Sequence, residues 1–170
     1  MTDQPWQLSW RADPQSVKVA DRHYNRQKIG SPQFVPPGSC LVFVTADRRA
    51  LWVSSLPKAE FVKHAWPGAI INSLFRREGG PILASDLIRA AVAATRAEWE
   101  PPPLGMVSFV DRSKVRSTNP GYCYRMAGFK RVGRTKGGLL AWQLLPEDWP
   151  EPVPALALGG QYDLLSAVTA

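Results

Sequence analysis

One segment of this chain is long and periodic enough to form a substantial helix, and it limits the folds open to the rest. Between Ser85 and Trp99, apolar residues recur at intervals of three and four, and the prolines at 101–103 end the pattern. Ser85 is expected to cap this helix, with Asp86 in its first turn. The other apolar runs are short and rich in β-branched and aromatic residues, which is typical of strands. The sequence therefore predicts one sheet accompanied by helices.

Extended and helical segments alternate along the chain. Residues 1–16 predict a first strand or an ordered arm, and residues 17–28 a short amphipathic helix. Strands are expected at 41–45, 50–54, 69–77, 106–110, 129–132 and 139–144, with a hairpin turn at 47–49 and a short helix at 122–127. This order is that of an α/β or α+β domain with a mixed central sheet. The predicted domain covers residues 1–146, followed by a proline-rich strap and tail at 147–170.

Positive charge is concentrated in one part of the chain. The sequence has 21 Lys and Arg against 14 Asp and Glu, and eight of the basic residues lie between Arg112 and Lys136, where there is no acidic residue. Such clustering indicates contact with a nucleic-acid backbone, and the alternative is a set of solvated surface cations. The candidate contacts for nucleic acid are Arg22, Arg26, Arg112, Lys114, Arg116, Lys130, Arg131, Arg134 and Lys136.

Several classes of protein are disfavoured by composition. No apolar run approaches the length of a membrane span, and the first residues lack the pattern of a signal peptide, so a cytoplasmic location is expected. Cys40 and Cys123 are too few for a disulfide framework and should be free thiols. Neither has a neighbouring His at the spacing of a metal site.

A strand, a glycine loop and a helix start follow one another at residues 69–86. Arg76 and Arg77 end the strand, Gly79 and Gly80 lie in the loop, and Ser85 begins the helix. Backbone N–H groups in such a turn can bind an anion, and the arginines would add charged hydrogen bonds. An ordinary turn with solvated arginines explains the same pattern equally well.

Four other positions are candidates for chemistry. His23, Tyr24 and Asp111 could bind a metal or transfer a proton if the fold brings them together. The simpler alternatives are a structural His at a helix edge and an Asp that caps the turn after its strand. Tyr122 and Tyr124 lie two residues apart on the short helix and should point in different directions, so that one can pack while the other reaches a reacting group.

The order of elements resembles the GNAT acyltransferase fold. The segment from Tyr124 to Phe129 is similar to the Tyr-x-x-x-Gly-Phe signature of that superfamily. The resemblance implies that this tyrosine protonates the departing thiolate of coenzyme A, whose pantetheine arm lies between two separating strands. The loop departs from the superfamily pattern, because Pro81 stands where a residue with an N–H normally helps to bind pyrophosphate.

A closer resemblance covers residues 22–143. Arg22-His-Tyr, Phe109-Val-Asp and the block from Gly121 to Phe129 resemble the Mom family of phage DNA-modification proteins in order and spacing. The resemblance implies conversion of adenine in phage DNA to its N6-carbamoylmethyl form, which protects the genome from restriction in the infected bacterium. It also implies that His23, Tyr24 and Asp111 hold an iron-like metal.

The same resemblance matches a functional tyrosine to Tyr124, or alternatively to Tyr122, and a functional arginine to Arg76 or Arg77. The donor stays open, since a glycyl donor such as glycyl-tRNA is as chemically reasonable as acetyl-CoA, and the altered loop favours the former. Under this hypothesis the base is flipped out, Tyr24 or Tyr122 stacks on it, and Asp111 or His23 accepts a proton.

Two alternatives keep the fold and change the function. One is an acetyltransferase that acts on a small amine or a protein. The other is a non-catalytic module that binds nucleic acid. The candidate partners are double-stranded DNA, a tRNA that carries the donor, and a second copy of the chain.

Overall fold

Seven strands join into one mixed sheet in the computed structural model, which describes residues 4–23, 26, 28–32, 34–58, 62, 64–114 and 119–158. The prediction of a mixed α/β architecture is confirmed. The helices are Pro14–Ala20 (α1), Ala84–Glu98 (α2) and Tyr122–Met126 (α3), with a 3-10 turn at Pro146–Asp148. The strands are Trp6–Leu8 (β1), Gly38–Thr45 (β2), Ala50–Pro57 (β3), Ile70–Arg77 (β4), Met106–Val110 (β5), Lys130–Arg134 (β6) and Leu140–Leu144 (β7).

The sheet order is β1-β2-β3-β4-β5-β7-β6. Strands β4 and β5 are parallel, with α2 as the crossover that a parallel pair requires, and the other described pairs are antiparallel. Pairing between β4 and β5 ends at Asn72 and Ser108, although β4 continues to Arg77 and β5 to Val110. The two strands therefore separate and leave a gap in the middle of the sheet.

Strand β4 carries a β-bulge where the gap begins. Its register against β3 changes from Leu74 opposite Val53 to Asn72 opposite Ser54, so Ser73 is the additional residue. A bulge bends its strand and increases the local twist. The bulge therefore contributes to the separation of β4 from β5.

Helix α2 begins one residue earlier than its predicted cap. Its N-cap is Leu83, which makes no side-chain capping bond, and the Leu83 carbonyl already accepts from the N–H of Leu87 at 3.0 Å. The prediction that Ser85 caps the helix is therefore wrong, because Ser85 lies inside the first turn. Asp86 lies in that turn as expected.

Helix α1 is displaced toward the N-terminus from the predicted span of 17–28. Asp13 caps it by accepting from the N–H of Gln15 at 3.0 Å, and Pro14 occupies the first helical position. The helix ends at Ala20. The prediction missed this start because it followed apolar spacing and left out the Asp-Pro capping signal.

The two faces of the sheet are covered by different elements. On one face, α2 buries Ile88 and Val92 in the main core cluster, which also contains Trp149 from the strap. On the other face, α1 buries Val19 and Ala20 against β2, β3 and β4. The sheet is thus held between helices in the part of the chain that precedes the gap.

The described part of the strap, 147–158, returns to the first strand. The N–H of Leu156 donates to Trp6 at 2.9 Å, and the Leu156 carbonyl accepts from Leu8 at 2.8 Å. Residues 159–170 of the predicted tail lie outside the described residues. Within the described ranges, no helix combines the length and the apolar character needed to cross a membrane.

Candidate functional site

A cavity of about 160 Å³ lies in the gap between β4 and β5. Both strands, α3 and the segment after α1 contribute to its wall. This gap brings together ionisable and polar side chains that are far apart in sequence. Those that line the cavity are His23, Asn72, Ser73, Ser108, Cys123 and Tyr124.

The Asn72 amide organises the buried end of this cavity. Its Nδ2 donates to the carbonyls of Val53 and Leu74 at 3.2 and 2.9 Å, which fixes the orientation of the amide. Its Oδ1 consequently accepts from Ser108 Oγ at 3.1 Å and from the Tyr124 hydroxyl at 2.7 Å. Since an amide oxygen has no proton, the Tyr124 proton points toward Asn72.

Helix α3 presents its two tyrosines to opposite environments. Tyr124 is 7% exposed and packs its ring edge to face with Phe75 and Phe129, at centroid distances of 6.4 and 5.4 Å. Tyr122 is 55% exposed. The prediction that they point in different directions is confirmed, and of the two, Tyr124 lines the cavity.

Cys123 adds a thiol to the same cavity. Burial raises its pKa, so the thiol stays protonated at neutral pH and is a weak nucleophile. Both Cys40 and Cys123 are free, as predicted.

A close contact between Gly121 and Trp142 separates this cavity from a second one. Gly121 lines the first cavity and Trp142 the second. Gly121 has a φ of +85°, and a Cβ at this position would overlap the indole Nε1 and Cε2 of Trp142. The buried Nε1 has no hydrogen-bond partner in the described part of the chain. The wall therefore requires glycine for both its backbone conformation and its packing.

Replacing Gly121 by Ala should lower the free energy of unfolding by about 3 kcal/mol, from left-handed strain and overlap with the indole. Gly138 is a matched control, because its φ is +86° and nothing lies within 4 Å of a Cβ built there. Gly138→Ala should lower the free energy of unfolding only by the backbone strain, about 1–2 kcal/mol. Urea unfolding measures both variants. Equal losses would contradict the packing role of Trp142.

The predicted metal ligands are only partly gathered. His23 lines the cavity, but the Asp111 carboxylate accepts from the N–H and hydroxyl of Ser113 at 3.0 and 2.6 Å. These bonds lower the Asp111 pKa and cap the turn after β5. Tyr24 lies outside the described residues. Within the described ranges, no three His, Cys, Asp or Glu side chains form a metal-binding group, so the metal stays a prediction.

The glycine loop is held by its own arginines. Arg77 donates to the carbonyls of Ile82 and Gly80, both at 2.9 Å. Arg76 donates to Glu78 at 2.8 Å. Both guanidinium groups thus stabilise the loop. Their hydrogen bonds point to groups of the loop itself and not toward a ligand.

Glu78 ties this loop to the segment after α1. Arg22 donates to both of its carboxylate oxygens, at 2.5 and 2.6 Å. The bonds from Arg22 and then Arg76 lower the Glu78 pKa from its ordinary 4.5 to about 2. The loop is therefore fixed to the part of the chain that carries His23.

The Glu78 interaction predicts a pH-dependent stability difference. Because its folded pKa is depressed, its contribution is present above about pH 4.5 and is lost as the pH falls toward 2. Glu78→Gln should thus be less stable than the unmodified protein at pH 7, with the two converging near pH 2. Urea midpoints across this range test the expectation. Glu147→Gln is the control at an exposed position, and a difference that persists unchanged to pH 2 would contradict the ion pair.

The same loop is a poor cradle for pyrophosphate. A Cβ on Gly80 would lie 3.7 Å from a carboxylate oxygen of Asp47, so negative charge already borders the loop. Pro81 has no N–H to donate. A Cβ built on Gly79 would lie 3.8 Å from the Arg49 guanidinium, and Ser85 is inside the helix. The residues present do not fit a diphosphate cofactor well.

A second cavity, of about 790 Å³, lies between α3 and the β6–β7 pair. We call it the basic groove and define it by the lining residues Arg112, Tyr122, Arg125, Lys130, Arg131 and Trp142. Among the described residues, no acidic side chain lines it. Arg125 had not been expected as a contact, because its side-chain direction depends on where α3 begins.

The remaining predicted DNA contacts are distributed differently. Arg22 pairs with Glu78, and Arg26 pairs with Asp21 at 2.8 Å. Lys114, Arg134 and Lys136 are exposed and do not line the groove. Arg116 lies outside the described residues. Of the predicted set, Arg112, Lys130 and Arg131 thus meet at one surface.

No protein-family model, curated protein or solved structure matches this chain. Its function must therefore be inferred from the chemistry of the cavity and the groove.

Asn72 and Ser108 were not anticipated as site residues. Each is polar within an apolar strand, in Ile70-Ile-Asn and Val107-Ser-Phe, and both are buried. A buried polar residue on each of two neighbouring strands signals a hydrogen-bonded partner between them. That signal was present in the sequence and could have identified the pair.

Proposed function

We propose that this protein is a GNAT-like transferase that modifies the N6 amine of adenine in DNA, adding a carbamoylmethyl group that protects the DNA from restriction. The observation that carries the proposal is the Tyr124 hydroxyl, held by Asn72 in a cavity that borders the basic groove. A proton-transfer group beside a cationic surface suits chemistry on a polyanion.

Three features of the sheet support the GNAT-like assignment. One parallel pair, β4 and β5, separates after a short pairing, a bulge marks the point of separation, and a tyrosine from the next helix enters the gap. A gap of this kind exposes backbone and side chains of both strands to a ligand. It is a suitable place for a donor to meet an acceptor.

The size of the cavity bears on how DNA would enter. A space of about 160 Å³ cannot admit a duplex, so the target base would leave the stack and insert alone. Its exocyclic amine would then face the polar wall formed by Asn72, Ser108 and Tyr124. The half-buried His23 lines the same space.

The reaction requires two proton transfers. When N6 attacks the carbonyl carbon of a glycyl ester, a nitrogen–carbon bond forms, the ester bond to the leaving hydroxyl breaks, and N6 loses a proton. The resulting N6-glycyl amide is an isomer of the carbamoylmethyl form, and an intramolecular rearrangement that moves N6 from the carbonyl carbon to the methylene carbon and the glycyl nitrogen to the carbonyl carbon completes the product.

In this scheme His23 accepts the N6 proton and Tyr124 gives one to the leaving group, since both line the cavity. Asn72 holds the Tyr124 hydroxyl in the cavity wall before this step, and the hydroxyl proton must turn from the Asn72 oxygen to the leaving group for the transfer. In this scheme Asp111 stabilises the turn after β5 by accepting a hydrogen bond from Ser113.

The glycine loop favours a donor that does not depend on a pyrophosphate cradle. Asp47 borders the loop, Pro81 lacks an N–H, and Arg77 is occupied by loop carbonyls. A glycyl donor such as glycyl-tRNA agrees with these features better than acetyl-CoA does.

Mass spectrometry of nucleosides tests the proposal. DNA from cells that express the protein, with the donor pathway present, should contain an adenosine derivative with the added mass of a carbamoylmethyl group. The Tyr124→Phe variant, expressed at the same level, should not produce it. An unchanged adenosine profile with folded protein would contradict the proposal.

A non-catalytic nucleic-acid-binding module is the second candidate, because the basic groove is separated from the cavity by the Gly121–Trp142 contact. It predicts DNA binding that survives Tyr124→Phe, with no modified nucleoside from the unmodified protein either.

A further inference from the structure

We infer that the basic groove binds the phosphodiester backbone directly beside the target base. The inference rests on the proposed function, because it assigns the base itself to the neighbouring cavity. It goes beyond a general basic surface, since it selects one set of cations and one position along the DNA strand.

The cations of the groove have no ion-pair partner in the part of the protein that the structure describes. The ion pairs among the described residues involve Arg22, Arg26, Arg48 and Arg76, and each of these lies outside the groove. By contrast, Arg112, Arg125, Lys130 and Arg131 have no carboxylate partner in the described ranges, and no acidic side chain lines the space. Four close positive charges without counter-charges attract a polyanion and gain from the release of its counterions.

The position of the groove links it to the cavity. The two spaces share the wall in which Gly121 touches Trp142, and helix α3 contributes Tyr124 to one and Arg125 to the other. A strand that crosses this wall can place one base in the cavity and its neighbouring phosphates in the groove. Backbone contacts of this kind fix the register of the nucleic acid without reading its sequence.

Tyr122 gives the groove an aromatic surface. Its side chain is 55% exposed and stands among the cations. Exposed aromatic rings in basic grooves stack on bases that have lost a neighbour, and such stacking tolerates any base. Tyr122 is therefore placed to stack on the base next to the one that is flipped out of the DNA duplex.

The salt dependence of binding to a duplex DNA oligonucleotide tests the groove. In Lys130→Ala/Arg131→Ala, the slope of log affinity against log salt should become shallower by about 1.8, that is 0.9 for each of two phosphates. The control is Lys18→Ala/Lys58→Ala, which removes the same charge from exposed sites in α1 and just after β3. Its slope should stay close to that of the unmodified protein. Equal changes in both double variants would overturn the inference.

Stacking is tested separately with the same duplex oligonucleotide. Tyr122→Ala should weaken binding about fivefold or more, and Tyr122→Phe should retain it, because the ring and not the hydroxyl carries the interaction. Equal affinities for Tyr122→Ala and the unmodified protein would overturn this part of the assignment.

Nucleoside mass spectrometry on the same proteins separates the two levels of inference. If the unmodified protein modifies DNA while the groove variants match their control in salt slope, the groove assignment fails and the proposed function stands. If the slope depends on the groove but the unmodified protein yields no product, the proposed function fails, and with it the assignment of a target base to the cavity.

Discussion

Tyr124→Phe is expected to reduce formation of the modified nucleoside by about 100-fold or more, because a positioned proton donor contributes at least that factor. The Phe ring keeps the edge contacts with Phe75 and Phe129, and Asn72 Oδ1 still accepts from Ser108. The free energy of unfolding should therefore fall by only about 1 kcal/mol. Quantitative mass spectrometry and urea unfolding of the same preparation measure the two effects.

Tyr122→Phe is the matched control, since it removes a hydroxyl from the exposed tyrosine of the same helix. It should leave product formation within about twofold of the unmodified level, because the Phe ring keeps the stacking surface that Tyr122 offers in the groove. A larger loss of activity in Tyr122→Phe than in Tyr124→Phe would assign the functional tyrosine to the groove and contradict the proposed site.

Asn72→Ala is expected to lower the free energy of unfolding by about 3 kcal/mol or more. The amide satisfies two carbonyls and two hydroxyls, and each buried group left without a partner costs about 1–3 kcal/mol. Its side chain is only 5% exposed, so water does not readily replace it. Equilibrium urea unfolding at pH 7 measures the loss.

Ser108→Ala is the control for that experiment, because it removes one of the bonds to Asn72 and leaves the amide in place. It should cost about 1 kcal/mol. If the two variants lost equal stability, Asn72 would not be the centre of the network, and the orientation of the Tyr124 proton would need another cause.

The sequence predicted the strands and the long helix well because their signals are local. Alternation and β-branched content identify a strand wherever it packs, and β4, β5, β6 and β7 fall within a few residues of their predicted spans. Helix ends were less predictable. The caps at Leu83 and Asp13 depend on where the backbone turns, which apolar spacing does not report.

The site was only partly predictable because its geometry is non-local. Tyr124 and His23 were expected from sequence and share the cavity. Asn72 joins them through the separation of two strands, to which a bulge in β4 contributes, and no residue pattern predicted that bulge. Asp111 could be predicted from local sequence. The simpler interpretation was that a carboxylate at the end of a strand caps the next turn, and Asp111 does this by accepting from Ser113.

The position of β6 at the end of the sheet has a consequence for self-association. In the described part of the chain β6 pairs only with β7, so its outer side presents unpaired backbone groups, while Lys130, Arg131 and Arg134 repel a second copy. At the other end, Leu156 covers β1 through backbone bonds. A bound polyanion would neutralise the charges on β6 and leave that edge open to strand pairing. The protein on DNA should therefore be more prone to edge-to-edge assembly than the protein in free solution.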